Sequence, residues 1–297
     1  MRSMIRTMAL GLAAAGLGFA GSGLAGDFGP QAAPAAAHPF RVGQLLLVAL
    51  QDAHYVVAND GKTFGVDAGA PAVSQVLKDA GAATDRITLS VDALLLREGG
   101  RVLLFDTGLG EKLHGALQAS LQQAGVAPDA VTDVLITHPH MDHIGGLVTA
   151  AGTPAFPKAV VRMPEAAWTW MQQQSPQLSK VIAAQIRTFE PGAHITPAVK
   201  SVPLAGHTPG HTGYEIASGG ARLLDIGDLA HSSIVSLAKP QWTVEFDEDA
   251  AAARATRVSE LALLAKSGEL VFAPHFPFPG VGHIRAQGDG YTWQAVQ

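Results

Sequence analysis

The stretch that most limits what this chain can be is His138-Pro139-His140-Met141-Asp142-His143, which sets three imidazoles and a carboxylate in the order His-x-His-x-Asp-His. Neutral imidazole and carboxylate oxygen are the donors that borderline divalent ions such as zinc take. Ligand pairs on a helix usually stand at i, i+4. The i, i+2 spacing of His138 and His140 instead faces both rings the same way along an extended chain. Asp142 continues on that side, and His143, its neighbour, points elsewhere. One short loop can then serve two ions. Four local groups cannot complete two coordination shells, so further donors must lie downstream. Ala130 to Thr137 reads as a buried strand feeding the loop, and Ile144-Gly145-Gly146-Leu147-Val148 as the start of a packed helix. A loop placed after a core strand is where chemistry is commonly carried, which weighs against a His-rich surface loop.

Segments of the same kind recur along the chain. Asp106-Thr107-Gly108 follows the apolar run Val102 to Phe105. Gly206-His207-Thr208-Pro209-Gly210-His211-Thr212 follows Val199 to Leu204. Asp225-Ile226-Gly227-Asp228 closes a hairpin pattern, and Ala273-Pro274-His275-Phe276-Pro277-Phe278-Pro279-Gly280 follows Leu270 to Phe272. In these motifs and their order the chain resembles the metallo-β-lactamase superfamily of metallohydrolases. The last of them, through Gly282-His283-Ile284, looks most like the branch that holds methyl parathion hydrolase, lactonases and arylesterases.

The resemblance implies an α+β fold, an αββα four-layer sandwich of two mixed sheets with helices outside and ligand loops at one edge. The sequence pattern alone supports only α plus β with metal loops at strand ends. The resemblance also implies two divalent ions. One would be held by His138, His140 and His207, the other by Asp142, His143 and His275, with Asp228 bridging through its two oxygens. Zinc is the expected metal, and iron, manganese or cobalt suit the same donors. Asp106 would orient a ligating imidazole from behind. His211 reads as structural, Asp225 as a capping or salt-bridged residue, and His283 receives no role.

With coordination positions left open, two such ions would lower the pKa of a shared water, and the resulting bridging hydroxide would attack carbonyl carbon or phosphorus. Asp142 or Asp228 would take the proton as catalytic residues. Lactone or aryl ester hydrolysis ranks first, then an organophosphate triester, in an apolar pocket that Phe276, Phe278 and Trp168 could line, although core packing is the preferred reading of Trp168 and Trp170. Glu111-Lys112-Leu113-His114 departs from the methyl parathion hydrolase pattern. The alternatives are β-lactam hydrolysis and a non-catalytic periplasmic metal-binding protein. A homodimer is an expectation carried by similar proteins.

Composition narrows the classes further. The absence of cysteine excludes thiolate ligation, disulfides and a cysteine nucleophile. A net charge of −5 with no basic run gives no reason to expect a nucleic-acid partner. Two arginines precede an uncharged apolar stretch from Thr7 to Ala20, too short to span a membrane, followed by small residues. Residues 1–25 are expected as a signal peptide cleaved after Ala25, with export to the periplasm or outside the cell and no lipoprotein anchor. Residues 26–39 are expected as a flexible leader and residues 40–297 as the hydrolase domain. Leu113, Leu117 and Leu121, every fourth residue, predict one amphipathic helix over Glu111 to Ala124.

Overall fold

The long apolar runs become strands that are buried on both faces. In Arg86–Glu98 (β3), Ala93 and Leu95 face one core while Leu94 and Leu96 face another. Leu104 and the pair Leu103 and Phe105 divide the same way in Arg101–Phe105 (β4). Period-two burial of this kind requires a layer on each side of the sheet. The computed structural model describes residues 28–296. It provides those layers as two sheets packed face to face.

The first sheet has seven strands in chain order: Gly29–Val42 (β1), Leu45–Ala58 (β2), β3, β4, Asp133–Leu135 (β5), Val160–Pro164 (β6) and Ile186–Phe189 (β7). Strands β1 to β4 pair antiparallel, and β4 to β7 pair parallel. The second sheet has six strands. They are Val199–Pro203 (β8), Thr212–Ser218 (β9), Ala221–Asp225 (β10), Leu270–Phe272 (β11), Val281–Gln287 (β12) and Gly290–Ala295 (β13), in the order 13-12-11-10-9-8. Only the β10–β11 pairing is parallel in this sheet.

Leu47, Leu94, Leu96 and Phe105 meet Tyr214, Ile216, Leu223 and Phe272 between the sheets. Outside the first sheet, Leu117–Gln123 (α2), Glu165–Gln174 (α4) and Pro176–Ile182 (α5) cover Leu95, Leu104, Val134 and Val161. Outside the second, Val235–Ala238 (α6) and Ala250–Ser267 (α7) cover Leu224, Val271 and Ile284. The remaining helices are Ala70–Asp79 (α1) and the single turn Met141–Ile144 (α3). This is the expected four-layer α+β sandwich.

Three local expectations are corrected. The Ala/Pro-rich segment anticipated as flexible is, from Gly29 on, the edge strand β1. Its prolines are tolerated because β1 pairs on one side only, and Pro34 falls in the register shift between Ala32 and Ala36. On the other flank, the Ala36 N–H donates to Ser120 Oγ at 3.1 Å. The expected helix over Glu111 to Ala124 is broken into a 3-10 turn at Glu111–Leu113 and α2, with His114 left-handed between them. The helix expected from Ile144 starts at Met141 and passes into a 3-10 turn at Gly145–Leu147. Residues 1–25, read as a signal peptide, lie outside the described residues.

Asp52 causes the break in the second case. Its buried carboxylate accepts the N–H of Leu109 at 2.7 Å and of Leu117 at 2.8 Å, folding the segment around itself. Burial outweighs these bonds and raises its pKa to about 6. Between the unfolded value near 4 and the folded value near 6, the folded chain holds a proton that the unfolded chain has released. Stability should therefore fall as pH rises through that window and level off above it. Relative to Asp52→Asn, wild type should lose about 2 kcal/mol between pH 4 and pH 7, measured by urea unfolding. Parallel curves for the two proteins would refute the assignment.

Candidate metal centre and substrate cleft

Strands β4 and β5 run parallel, as do β8, β10 and β11, so their C-terminal ends collect at one edge. Asp106, the His138–His143 loop, His207, Asp228 and His275 each follow one of those ends. Cross-sheet bonds fix the edge. The Tyr214 hydroxyl donates to the Ile136 carbonyl at 2.7 Å, and the Thr212 N–H donates to the Thr137 carbonyl at 2.9 Å. Gly206 and Gly227 permit close approaches there. Both have positive φ, and a Cβ would strike the Ala253 backbone at the first and the His211 ring at the second.

The structure brings all seven candidate donors together in two groups, one of His138, His140, His207 and Asp228, the other of Asp142, His143 and His275. In the first, His138 Nε2, His140 Nδ1 and His207 Nε2 lie 3.0–3.1 Å apart. Asp228 Oδ2 closes the group at 3.2 Å from His207 Nε2 and 3.5 Å from His138 Nε2. Donors around a tetrahedral zinc ion stand about 3.3 Å apart, given zinc–nitrogen bonds of about 2.0–2.1 Å. In the second group, His143 Nε2 and His275 Nε2 are 3.3 Å apart. Asp142 Oδ2 lies 3.7 and 3.5 Å from them, and Asp228 Oδ1 lies 3.2 and 3.0 Å from them. Asp228 thus turns one oxygen to each group. Its Oδ1 is buried without a hydrogen-bond partner, an arrangement that a cation resolves. The donor set fits two divalent ions.

Contacts behind the rings fix which nitrogen faces inward. His275 Nδ1–H donates to the Ser90 carbonyl at 2.7 Å. His143 Nδ1 meets Asp106 Oδ2 at 2.8 Å, in the outer position expected for Asp106. Thr137 Oγ1–H donates to Asp106 Oδ2 at 2.7 Å, so the same hydroxyl accepts from His138 Nδ1–H at 3.1 Å. His207 Nδ1 meets Asp247 Oδ1 at 3.0 Å. His211 is structural, as read: its Nδ1–H donates to the Leu204 carbonyl at 2.8 Å and its Nε2 accepts the Asp228 N–H at 3.1 Å. Burial pushes its pKa down to about 3 and keeps it an acceptor. Asp225 caps the next turn, accepting the Gly227 N–H at 3.1 Å. His283 faces the Glu269 carbonyl, away from the site.

Burial opposes the charge on Asp228, but the imidazoles of His275, His143, His138 and His231 hold its carboxyl well below the usual range. Burial also opposes charge on His275. There the carboxylates of Asp228 and Asp142 prevail and lift its pKa to about 9. Before an ion enters, protons balance the bridging carboxylate.

The site opens into a cleft of about 530 Å³. Its apolar wall is Pro30, Tyr55, Leu89, Leu109, Leu113, Met141 and Phe246, and its rim carries Glu245 and Glu248. The aromatic residues expected there lie elsewhere. Phe276 is buried against Trp293 under α7 and Phe278 packs between the sheets, whereas Trp168 packs on the outer face of the first sheet, in the core role preferred for it. Trp170 sets its ring edge-on to His140 at 5.5 Å.

Two site residues escaped the sequence reading. His231 lies 3.1 Å from Asp228 Oδ2 and stacks parallel to His275. Its only signal is the spacing Gly227-Asp228-Leu229-Ala230-His231, where a turn returns residue i+3 to the side of residue i. Asp247 carries no signal of its own, since it stands in the acidic run Asp247-Glu248-Asp249.

Residues 86–275 match the Metallo-beta-lactamase superfamily. The chain belongs to that superfamily and is a metal-dependent hydrolase of it. It is 28% identical to hydrolase AbOPH, described as in the beta lactamase superfamily, with a TM-score of 0.81 over 89% of this chain and 99% of that one. It is 26% identical to AidC, a dizinc quorum-quenching lactonase solved with the product N-hexnoyl-L-homoserine, with a TM-score of 0.80 over 89% and 98%. YobT of Bacillus subtilis (strain 168), an uncharacterized protein, is 26% identical over 187 residues, 59% of this chain and 78% of its own.

Proposed function

We propose that this protein hydrolyses neutral esters, lactones or aryl esters foremost, at a dinuclear centre held by His138, His140, Asp142, His143, His207, Asp228 and His275. The carrying observation is the cleft. Its wall is apolar, its rim is acidic, and among the described residues that line it there is no lysine or arginine. A neutral acyl or aryl group is favoured there by burial. The carboxylate of a β-lactam would meet Glu245 and Glu248 with no lysine or arginine of the lining to receive it. A neutral organophosphate triester fits the same chemistry, and the likeness to AidC supports the lactone.

Two bound divalent ions would supply Lewis acidity and bring the pKa of a water towards neutrality. The chain supplies the rest. Asp142 is the more exposed of the two carboxylates of the centre that line the cleft, its side chain 24% exposed against 4% for Asp228. It stands where it can take the proton of the attacking water and return it to the departing alkoxide. Asp228 holds the two halves of the donor set in one arrangement. The carboxylate product would then be repelled by the rim, which favours release.

The test is a chelator-controlled screen of γ-lactones, aryl acetates, a phosphotriester and a cephalosporin on the zinc-loaded protein. Turnover of the neutral substrates, lost on chelation and restored by zinc, is the expected result. Turnover of the cephalosporin alone would overturn the reading in favour of a lactamase.

A further inference from the structure

Arg257 is among the largest fully buried side chains of the protein, and it is charged. A buried ion pair is weak support for a fold, because apolar residues of similar volume commonly serve stability as well. Its position suggests another use. From the middle of α7 the guanidinium reaches back towards the segment before the helix. Nη1 and Nη2 both donate to Asp247 Oδ2, at 3.2 and 2.9 Å, and Nε donates to the Pro240 carbonyl at 3.0 Å. Both contacts to Asp247 fall on one oxygen. That leaves Oδ1 for His207 Nδ1, at 3.0 Å. His207 then turns Nε2 to the first donor group. Backbone bonds join the same pieces, with Glu248 N–H to the His207 carbonyl and Asp249 N–H to the Gly206 carbonyl, each at 2.9 Å.

We propose that Arg257 is a positioning residue for the first ion site: it locks the Asp247 carboxylate, Asp247 fixes the His207 ring, and the affinity of that site depends on the chain of contacts. The inference rests on the two-ion reading above but not on the substrate. A planar guanidinium sets two donors on the one carboxylate oxygen while a third ties it to a carbonyl, a fixed arrangement that a single ammonium cannot reproduce. Partners behind a ligating histidine are typically worth about 10–100-fold in metal affinity.

The experiment uses metal-free full-length protein, zinc alone as the probe, and a competing chromophoric chelator, with thermal unfolding of each metal-free protein alongside. Wild type should take two zinc ions. Arg257→Met should weaken zinc binding by about 10–100-fold, and Arg257→Lys by several-fold, at the site that includes His207. Where Arg257→Met fails to fold, Arg257→Lys decides, because it keeps the buried charge and loses only the fork. Variants that melt earlier but bind both ions with wild-type affinity would overturn the proposal and leave Arg257 a structural pin. A wild type that binds no zinc would overturn the two-ion reading itself.

Discussion

Asp228→Asn is expected to lower kcat roughly a thousand-fold and to leave a chain that no longer holds two ions. The bridging carboxylate offers Oδ1 to His143 and His275 and Oδ2 to His138 and His207, all within 3.5 Å. Asparagine keeps the shape but removes the charge and turns an NH₂ towards one group, where it repels a cation. Charge stabilisation at such a centre is worth several kcal/mol, and each 1.36 kcal/mol is about tenfold in rate. The fold should survive, since the side chains are nearly the same size. Metal content by mass spectrometry and kcat on the best lactone check it together. Two ions per chain with undiminished turnover would refute the bridge.

The second large effect is expected at Asp106, which contacts no ion. It sits at φ 58°, a left-handed conformation that asparagine and aspartate tolerate better than most residues. Its carboxylate accepts from Thr137 N–H at 2.8 Å and from Thr137 Oγ1–H at 2.7 Å, and it meets His143 Nδ1 at 2.8 Å. Asp106→Ala strands three buried donors at about 1–3 kcal/mol each, so a stability loss of roughly 3–9 kcal/mol is expected in urea. It also frees the His143 ring, and ion affinity at the second group should fall by about 10–100-fold. Asp106→Asn keeps an acceptor and the backbone preference and should lose less of both. Equal losses for the two variants would show that the carboxylate is not the orienting group.

The sequence exposed the centre because each donor stands in a local context that survives on paper, a histidine or aspartate directly after an apolar run. The apolar run Val102 to Phe105 likewise marked a strand on paper, while the four layers followed from the family resemblance and not from the pattern. What it hid is tertiary. Tyr55, Leu89, Leu109, Met141 and Phe246 come from five separate segments, and no spacing marks them as one wall. Phe276 and Phe278 looked like pocket residues because they adjoin His275, yet the chain turns them into the cores. The Leu113-Leu117-Leu121 period is genuine only from Leu117 on, since Asp52, distant in sequence, pulls Leu109 and Leu117 around one carboxylate. Strand β1 has no alternation to read. Its length comes from pairing with β2, and its composition suits an edge. Arg257 gave no signal, because a buried arginine on α7 looks like any charged helix residue until its partner is in place.

The two sheets meet where the donors meet, and neither donor group belongs to one sheet. His138 and His140 come from the first half of the chain and join His207 and Asp228 from the second; Asp142 and His143 likewise join His275. The seam therefore carries every candidate donor, and an ion seated in either group would be a rivet through both leaves. A fragment stopping before β8 would carry four of the seven donors and complete neither set. Any slippage of one leaf against the other would be felt at both ions at once.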